Sequence, residues 1–399
     1  MLAQRPPMGW NSWNTFGEKI DEKMIMEMAD AMVETGLLDA GYEYLTIDDC
    51  WCEMERDENG MLVADRVKFP HGMKYVADYV HSKGLKFGMY TCCGPKTCAG
   101  YPGSFGYEFK DAEYFASVGI DLLKYDNCYH PSTPAPLRYN RMSLALKATG
   151  RDILFSACNW GGENVHAWAR SVGAHMYRST GDIFDKFESV RRLSESQIKT
   201  VPMPSTGYYD NTALQLFEKQ IPKFTMSAPG CYNDIDMLIC GLYGKGNVGI
   251  ESGCTDAQYR YHFALWCMLM SPLMIGCDIR NMSEETKKLL LNKELIAINQ
   301  DEEARPPMLI SANNGLKDSI ICFRHLADGE FAIGFFNPYD REHTMMLPYF
   351  EIGLDPLCGY GFEVRDVLTG EDLGVKRDYF EVKVPATDCR VFRAKIVKL

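Results

Sequence analysis

Four apolar runs in this 399-residue sequence end on acidic residues: Asp48-Asp49-Cys50-Trp51, Lys124-Tyr125-Asp126-Asn127-Cys128, Arg178-Ser179-Thr180-Gly181-Asp182 and Asn233-Asp234-Ile235-Asp236-Met237. Carboxylates converging with Lys124, Arg178 and the aromatics Trp13 and Tyr90 describe a pocket that reads hydroxyl groups and stacks on a sugar ring. Two such carboxylates suffice to cleave a glycosidic bond with retention. One attacks the anomeric carbon; the other protonates the leaving oxygen and then activates water. Lys124 and Asp126 lie two residues apart, so on a strand they share a face, and the ammonium favours an ionised nucleophile. An anionic neighbour in turn raises the pKa of the acid. Spacing alone does not assign the two roles. A single Asp after a strand is more often a helix N-cap than a catalyst, but four at strand ends argue against a wholly structural reading.

Strand ends matter because parallel barrels build their active sites there. Up to about residue 300, short β-rich runs alternate with helical patterns. Eight strands are predicted: Met8–Trp13, Tyr42–Ile47, Leu85–Tyr90, Asp121–Tyr125, Ile153–Ala157, His175–Arg178, Phe224–Ser227 and Leu273–Ile275. Between them, Ile25, Met28, Met32 and Val33 share a helical face after an Asp21 N-cap, with Gly36 as the stop. Tyr75–Val80, Ala112–Val118, Leu137–Ala148 and Tyr259–Met270 follow the same pattern. After Gln300 the texture changes to alternating strands, Ser319–Phe323 and Glu330–Phe336, joined by an Ala327-Asp328-Gly329 turn, with further turns at Asn313-Asn314-Gly315 and Thr369-Gly370. The expected fold is α/β: a (β/α)8 TIM barrel over residues 1–304, then an antiparallel β-sandwich over 305–399, divided near Arg305-Pro306-Pro307.

With 46% hydrophobic and 24% charged residues the chain can bury a large core. Its net charge of -12 argues against nucleic acid and against anionic membranes, and favours a neutral small-molecule carbohydrate. The opening residues carry no apolar leader, which predicts a cytoplasmic protein. There the 15 cysteines, odd in number and irregularly spaced, are expected to be mostly buried thiols. No zinc-type spacing, no Gly-x-Gly-x-x-Gly after the first strand and no His-rich set is present, so neither metal nor cofactor is expected. Self-association into paired barrels stays open.

Along almost its whole length the sequence resembles glycoside hydrolase family 27 of clan D, the α-galactosidases and α-N-acetylgalactosaminidases. The matching motifs include Met8-Gly-Trp-Asn-Ser-Trp13, Asp48-Asp-Cys-Trp51, Phe69-Pro-His-Gly72, Thr97-Cys-Ala-Gly100, Pro102-Gly-Ser-Phe-Gly106, Lys124-Tyr-Asp-Asn-Cys128 and Ala297-Ile-Asn-Gln-Asp301. The resemblance implies Asp126 as nucleophile and Asp182 as acid/base of an exo-acting retaining enzyme. It places Asp48, Asp49 and Trp13 at the O4 and O6 end of galactose, Tyr90 and Lys124 along the pocket, and Arg178 with Asp182 near O2. Asp236 and Met237 would shape the rim, Met237 as a packing wall; Asp236 is preferred to Asp234, which suits a loop cap. Cys98 and Cys128 match a pair that is disulfide-bonded beside the substrate in secreted members, so their proximity is expected.

Cys158-Asn159-Trp160-Gly161 is similar to yeast-type α-galactosidases, which favours galactose over N-acetylgalactosamine. Retention of Asp49 favours a galactose O6 over a β-L-arabinopyranoside. Intact Asp126 and Asp182 disfavour a non-catalytic carbohydrate-binding barrel. Cys231-Tyr232 departs from the family's usual Gly-Trp. A longer interval before Asp236, roughly residues 200–223 with Tyr208, Tyr209 and Phe217, suggests a lid, a substrate wall or an oligomer contact.

Overall fold

The computed structural model describes residues 2–187, 211–220, 223–311 and 320–399. Its first part is a curled sheet of eight parallel strands: β1 (Met8–Asn11), β2 (Tyr44–Thr46), β3 (Lys86–Cys92), β4 (Leu122–Asp126), β5 (Leu154–Ala157), β6 (Met176–Arg178), β7 (Tyr232–Asp234) and β8 (Leu273–Ile275). They are ordered β7-β6-β5-β4-β3-β2-β1-β8. The sheet closes through Leu238, four residues past β7, which bridges in parallel to Ile275. Its N–H donates to the Met274 carbonyl at 2.7 Å, and its carbonyl accepts from Gly276 N–H at 3.0 Å.

The helices outside are α1 (Glu22–Glu34), α2 (Met73–Ser82), α3 (Glu108–Val118), α4 (Ala135–Ala148), α5 (Val165–Trp168), α6 (Ala213–Gln220), α7 (Asp256–Met268), α8 (Glu284–Leu290) and α9 (Lys293–Asn299). Asp21 caps α1 as expected, its carboxylate accepting from Met24 N–H. Thr255 and Gln258 form a capping box on α7, which ends two residues before the expected Met270.

Strand alternation organises the interior. Inward residues at the strand starts are apolar: Tyr44, Leu122, Leu154 and Met176 cluster with Met274 and Met237 into a floor. Two residues further on, the inward positions are Thr46, Lys124, Ser156 and Arg178, which line a small cavity above that floor. The next step along β4 reaches Asp126. Strands are packed closely enough to demand glycine at Gly88, where a Cβ would fall 2.4 Å from Thr46 Oγ1.

The expected seventh strand was misplaced. Lys223–Met226 is a 3-10 turn with Phe224 turned inward, and the strand is Tyr232–Asp234 after the Ala228-Pro229-Gly230 corner. Part of the interval expected to supply a lid, a substrate wall or an oligomer contact lies within the described residues. Phe217 lies in α6 with Leu214 and Leu216 buried beside it, so it is core and not a substrate wall. Tyr208 and Tyr209 lie outside the described residues, as does the turn at 313–315.

Beyond α9 the chain forms an antiparallel six-stranded sheet, β14-β13-β16-β11-β10-β9, faced by a two-stranded sheet, β12-β15. The strands are β9 (Met308–Ser311), β10 (Ile320–His325), β11 (Glu330–Asn337), β12 (His343–Pro348), β13 (Tyr360–Asp366), β14 (Asp372–Lys376), β15 (Tyr379–Val384) and β16 (Asp388–Lys398). The expected turn at Ala327–Gly329 joins β10 to β11. Alternation again divides the faces: Ile321 and Phe323 enter a sandwich core with Phe335, Phe362, Phe380 and Phe392, whereas Cys322 packs on the barrel. Arg324, on that barrel side, is fully buried and donates to the carbonyls of Cys267, Ile298 and Arg305. Among the described residues, no helix is long and apolar enough to cross a membrane.

Candidate active site

The carboxylates gather where the strands end. Asp48 Oδ2 accepts hydrogen bonds from Lys124 Nζ at 2.7 Å and from Asn11 Nδ2 at 2.8 Å. Burial works against the Lys124 ammonium, but the negative groups around it, Asp48 foremost, outweigh burial and hold its pKa up. The same ammonium lies 5.4 Å from the centre of the Tyr90 ring. Asp49 turns to the neighbouring loop and accepts from the N–H groups of Cys50 at 2.7 Å and Ala99 at 3.0 Å. Trp13 follows β1, its N–H bonded to Asn11 Oδ1 at 2.9 Å, so the first two strand ends are tied together through Asn11.

Asp126 closes β4 with only 5% of its surface exposed. Its Oδ1 accepts from Asn127 N–H at 2.8 Å, and Cys98 Sγ lies 3.8 Å from Oδ2. Burial pushes its pKa up to about 6; Lys124 pulls it down, and Asp182 pushes it up again. The lysine therefore acts in the expected direction, yet desolvation outweighs it because the ammonium's direct partner is Asp48. Cys98 and Cys128 are joined in a disulfide with their Cα atoms 5.1 Å apart. Together with Asp126 they form the one grouping of metal-type ligands among the described residues, and the disulfide takes both sulfurs.

On the opposite side Arg178 spans two carboxylates, with Nη2 3.0 Å from Asp182 Oδ1 and Nη1 2.9 Å from Asp236 Oδ1. Asp236, at φ +96°, also accepts from the N–H groups of Met237 at 2.7 Å and Ile183 at 2.6 Å. Burial raises its pKa to about 7 despite Arg178, with Asp182 and Asp234 adding to the rise. Asp182 differs from both: its side chain is 48% exposed. A buried, backbone-bonded carboxylate and a half-exposed carboxylate on an arginine thus sit close enough to influence one another.

Cys158 Sγ lies 3.8 Å from Arg178 Nη1, whereas Trp160 projects from a left-handed backbone (φ +57°) with its ring partly exposed. Asn159 between them is wholly enclosed, and neither of its amide atoms has a hydrogen-bond partner among the described residues. Met237 packs with Tyr44, Leu122, Leu154, Met176 and Met274 in the barrel floor, below the rim where the resemblance places it and in keeping with the packing role expected of it. The site residue that sequence reasoning left out is Asn11, which carried a signal only as part of the Met8–Trp13 motif; Asp234 takes the loop-cap role expected of it, its Oδ1 accepting from Asp236 N–H at 2.9 Å.

A parallel barrel whose mouth carries opposed carboxylates, a lysine, an arginine and aromatic rings is the architecture of a glycoside hydrolase, and comparison with known proteins agrees. Residues 5–301 match the family model described as alpha galactosidase A, and residues 317–394 match that of the alpha galactosidase C-terminal beta sandwich domain. An alpha-galactosidase A of Cellvibrio japonicus is 40% identical over 98% of this chain and 92% of its own. Among solved structures, alpha-galactosidase I of Mortierella vinacea superposes with a TM-score of 0.87 at 34% identity, covering 98% of this chain and 97% of its own. A Saccharomyces cerevisiae alpha-galactosidase with raffinose gives 0.85 at 30% identity, covering 99% and 98%. The chain belongs to glycoside hydrolase family 27, the α-galactosidases.

Proposed function

We propose that this enzyme removes terminal α-D-galactosyl residues with retention, by double displacement through a galactosyl ester on Asp126. The observation that carries the reading is the contrast between Asp126, enclosed and fixed by Asn127 N–H, and Asp182, half-exposed on Arg178. A nucleophile needs a fixed line of attack, while an acid/base must meet both the leaving oxygen and water. In the first step an Asp126 oxygen bonds to the anomeric carbon as the glycosidic C–O bond breaks, and Asp182 gives its proton to the departing oxygen. In the second, Asp182 takes a proton from water as that water displaces Asp126.

Asp48, with Asn11 and Lys124 as its partners, and Asp49 supply fixed acceptors for the hydroxyls at one end of the sugar; Trp13 and Tyr90 flank that end, and Cys98, Cys158 and Trp160 line the other sides. Support for galactose comes from the relatives, one of which was solved with raffinose. NMR of the first-formed sugar from an aryl α-galactoside tests retention: α-galactose is expected, and β-galactose would refute double displacement. Values of kcat/KM for aryl α-galactoside, α-N-acetylgalactosaminide and β-L-arabinopyranoside test the sugar, with the galactoside expected to lead and preference for either of the others overturning that assignment.

A further inference from the structure

Three residues past Asp182 lies a carboxylate that the reaction above does not use. Asp185 is fully buried. Its Oδ2 accepts from Gly244 N–H at 2.7 Å and its Oδ1 from Cys254 N–H at 3.1 Å, while the Tyr259 hydroxyl lies 2.9 and 3.0 Å from the two oxygens. Its own N–H donates to the Val248 carbonyl at 3.0 Å. Among the described residues every partner of that carboxylate is a donor, which suits a group that only accepts. Gly253 is packed so tightly that a Cβ there would meet Asp185 Oδ2 at 2.2 Å. Such a site is built and not incidental.

These contacts join the segment after β6 to the 244–254 loop and to Tyr259 on α7. The segment is fastened on the other side of Asp182 as well, where Ser179 N–H donates to the Asp234 carbonyl and Thr180 Oγ1 to the Ile235 carbonyl, each at 3.2 Å, while on the Asp185 side Ile183 N–H donates to Asp236 Oδ2 at 2.6 Å. Asp182 sits between the two fastenings, its half-exposed carboxylate anchored by Arg178.

We propose that Asp185 is a positioning residue for Asp182, holding its backbone where one carboxylate reaches both the leaving oxygen and the incoming water. The inference rests on the acid/base reading of Asp182. A displacement of about 1 Å at a proton-transferring group is enough to lower rate strongly, whereas reactions that need no proton are spared.

The test uses the intact enzyme and the variants Asp185→Asn, Tyr259→Phe and, as reference, Asp182→Ala. Asp185→Asn turns an NH2 towards a backbone N–H; Tyr259→Phe removes one donor and leaves Asp185 in place. Each is assayed on a dinitrophenyl galactoside, whose leaving group needs no proton, and on a galactoside with a sugar leaving group, with and without azide. Azide attacks the anomeric carbon of the galactosyl ester, the bond to Asp126 breaks, and galactosyl azide forms without any proton being removed from the nucleophile.

Asp185→Asn is expected to lose roughly 100-fold in kcat/KM on the sugar aglycone and less than about 5-fold on the dinitrophenyl substrate. Its KM for the latter should fall as the ester accumulates, and azide should restore kcat. Tyr259→Phe should show the same pattern at smaller size, and it decides the matter should Asp185→Asn fail to fold. Equal losses on both substrates with no azide response, while Asp182→Ala shows the split, would mean that Asp185 serves stability alone and overturn the inference. Absence of the split in Asp182→Ala would instead bring down the acid/base reading, and the inference with it.

Discussion

The two ends of the barrel interior are built from the same strands and obey opposite rules. At the N-terminal end Tyr44, Leu122, Leu154, Met176, Met237 and Met274 make an apolar floor. A few residues further along those strands the inward positions are Lys124, Arg178, Asp48 and Asp126, all enclosed. Floor residues gain free energy by leaving water; the mouth residues lose it, and burial shows directly in the raised pKa values of Asp126 and Asp236. Strand periodicity permits both because it keeps a residue's side fixed while its height changes. Stability is placed at the floor and reactivity at the mouth, so substitutions at the two ends should separate the two properties.

The sharpest separation is expected for Asp126→Asn, which should lower kcat by about 10⁴-fold or more while leaving the protein folded; a loss smaller than tenfold, read from steady-state rates, would break the contrast. Leu122→Ala is the mirror case. It should cost about 2–5 kcal/mol in unfolding free energy, measured by denaturant titration, with kcat on an aryl galactoside nearly unchanged.

Lys124→Met probes the layer between. It should lower kcat/KM by roughly 100-fold, since Asp48 loses its charged partner and the pocket its fixed charge. It should also move the acid limb of the pH–rate profile. In the unmodified enzyme kcat/KM is expected to fall as pH drops through about 6, where Asp126 takes up a proton. Because Lys124 pulls that pKa down, the limb should shift to higher pH in the variant; a shift to lower pH would contradict the electrostatic account.

The smallest effect is on stability. Asp126 has a folded pKa above the ordinary 3.8, so between that value and about 6 the folded state binds the extra proton. Stability from the protonated form is complete below 3.8 and is lost as pH rises through the folded value. Asp126→Asn removes this loss. Its Tm should therefore exceed that of the parent by a few degrees at pH 8, with the gap closing towards pH 4 in calorimetry.

Much of this division could be read in the sequence, because apolar runs ending in acidic residues are what strand alternation produces on the way from floor to mouth. Seven strands fell where the runs predicted, and Asp48, Asp126, Arg178 and Asp182 stand at or just past their ends, while Asp236 joins Arg178 from the strand that was misplaced. The seventh strand escaped because Tyr232-Asn233-Asp234 carries two residues of poor β propensity, held there by pairing with Met176–Arg178, while the apolar Phe224 nearby serves a helical turn. Met237 was placed at the rim by the family resemblance, and its packing on the floor residues is a long-range contact that only the folded chain makes. Asp185 carried no local signal: its partners are backbone N–H groups and a phenol 59 to 74 residues away, which only the folded chain brings together.

The division of labour between the carboxylates is the central claim, and trapping the covalent intermediate tests it most directly. A fluorosugar galactosyl inactivator, followed by proteolysis and peptide mass mapping, should leave its mass on the peptide containing Lys124-Tyr125-Asp126 and fail to label Asp126→Asn. A label on Asp182, on Asp236 or on any other residue would contradict the account.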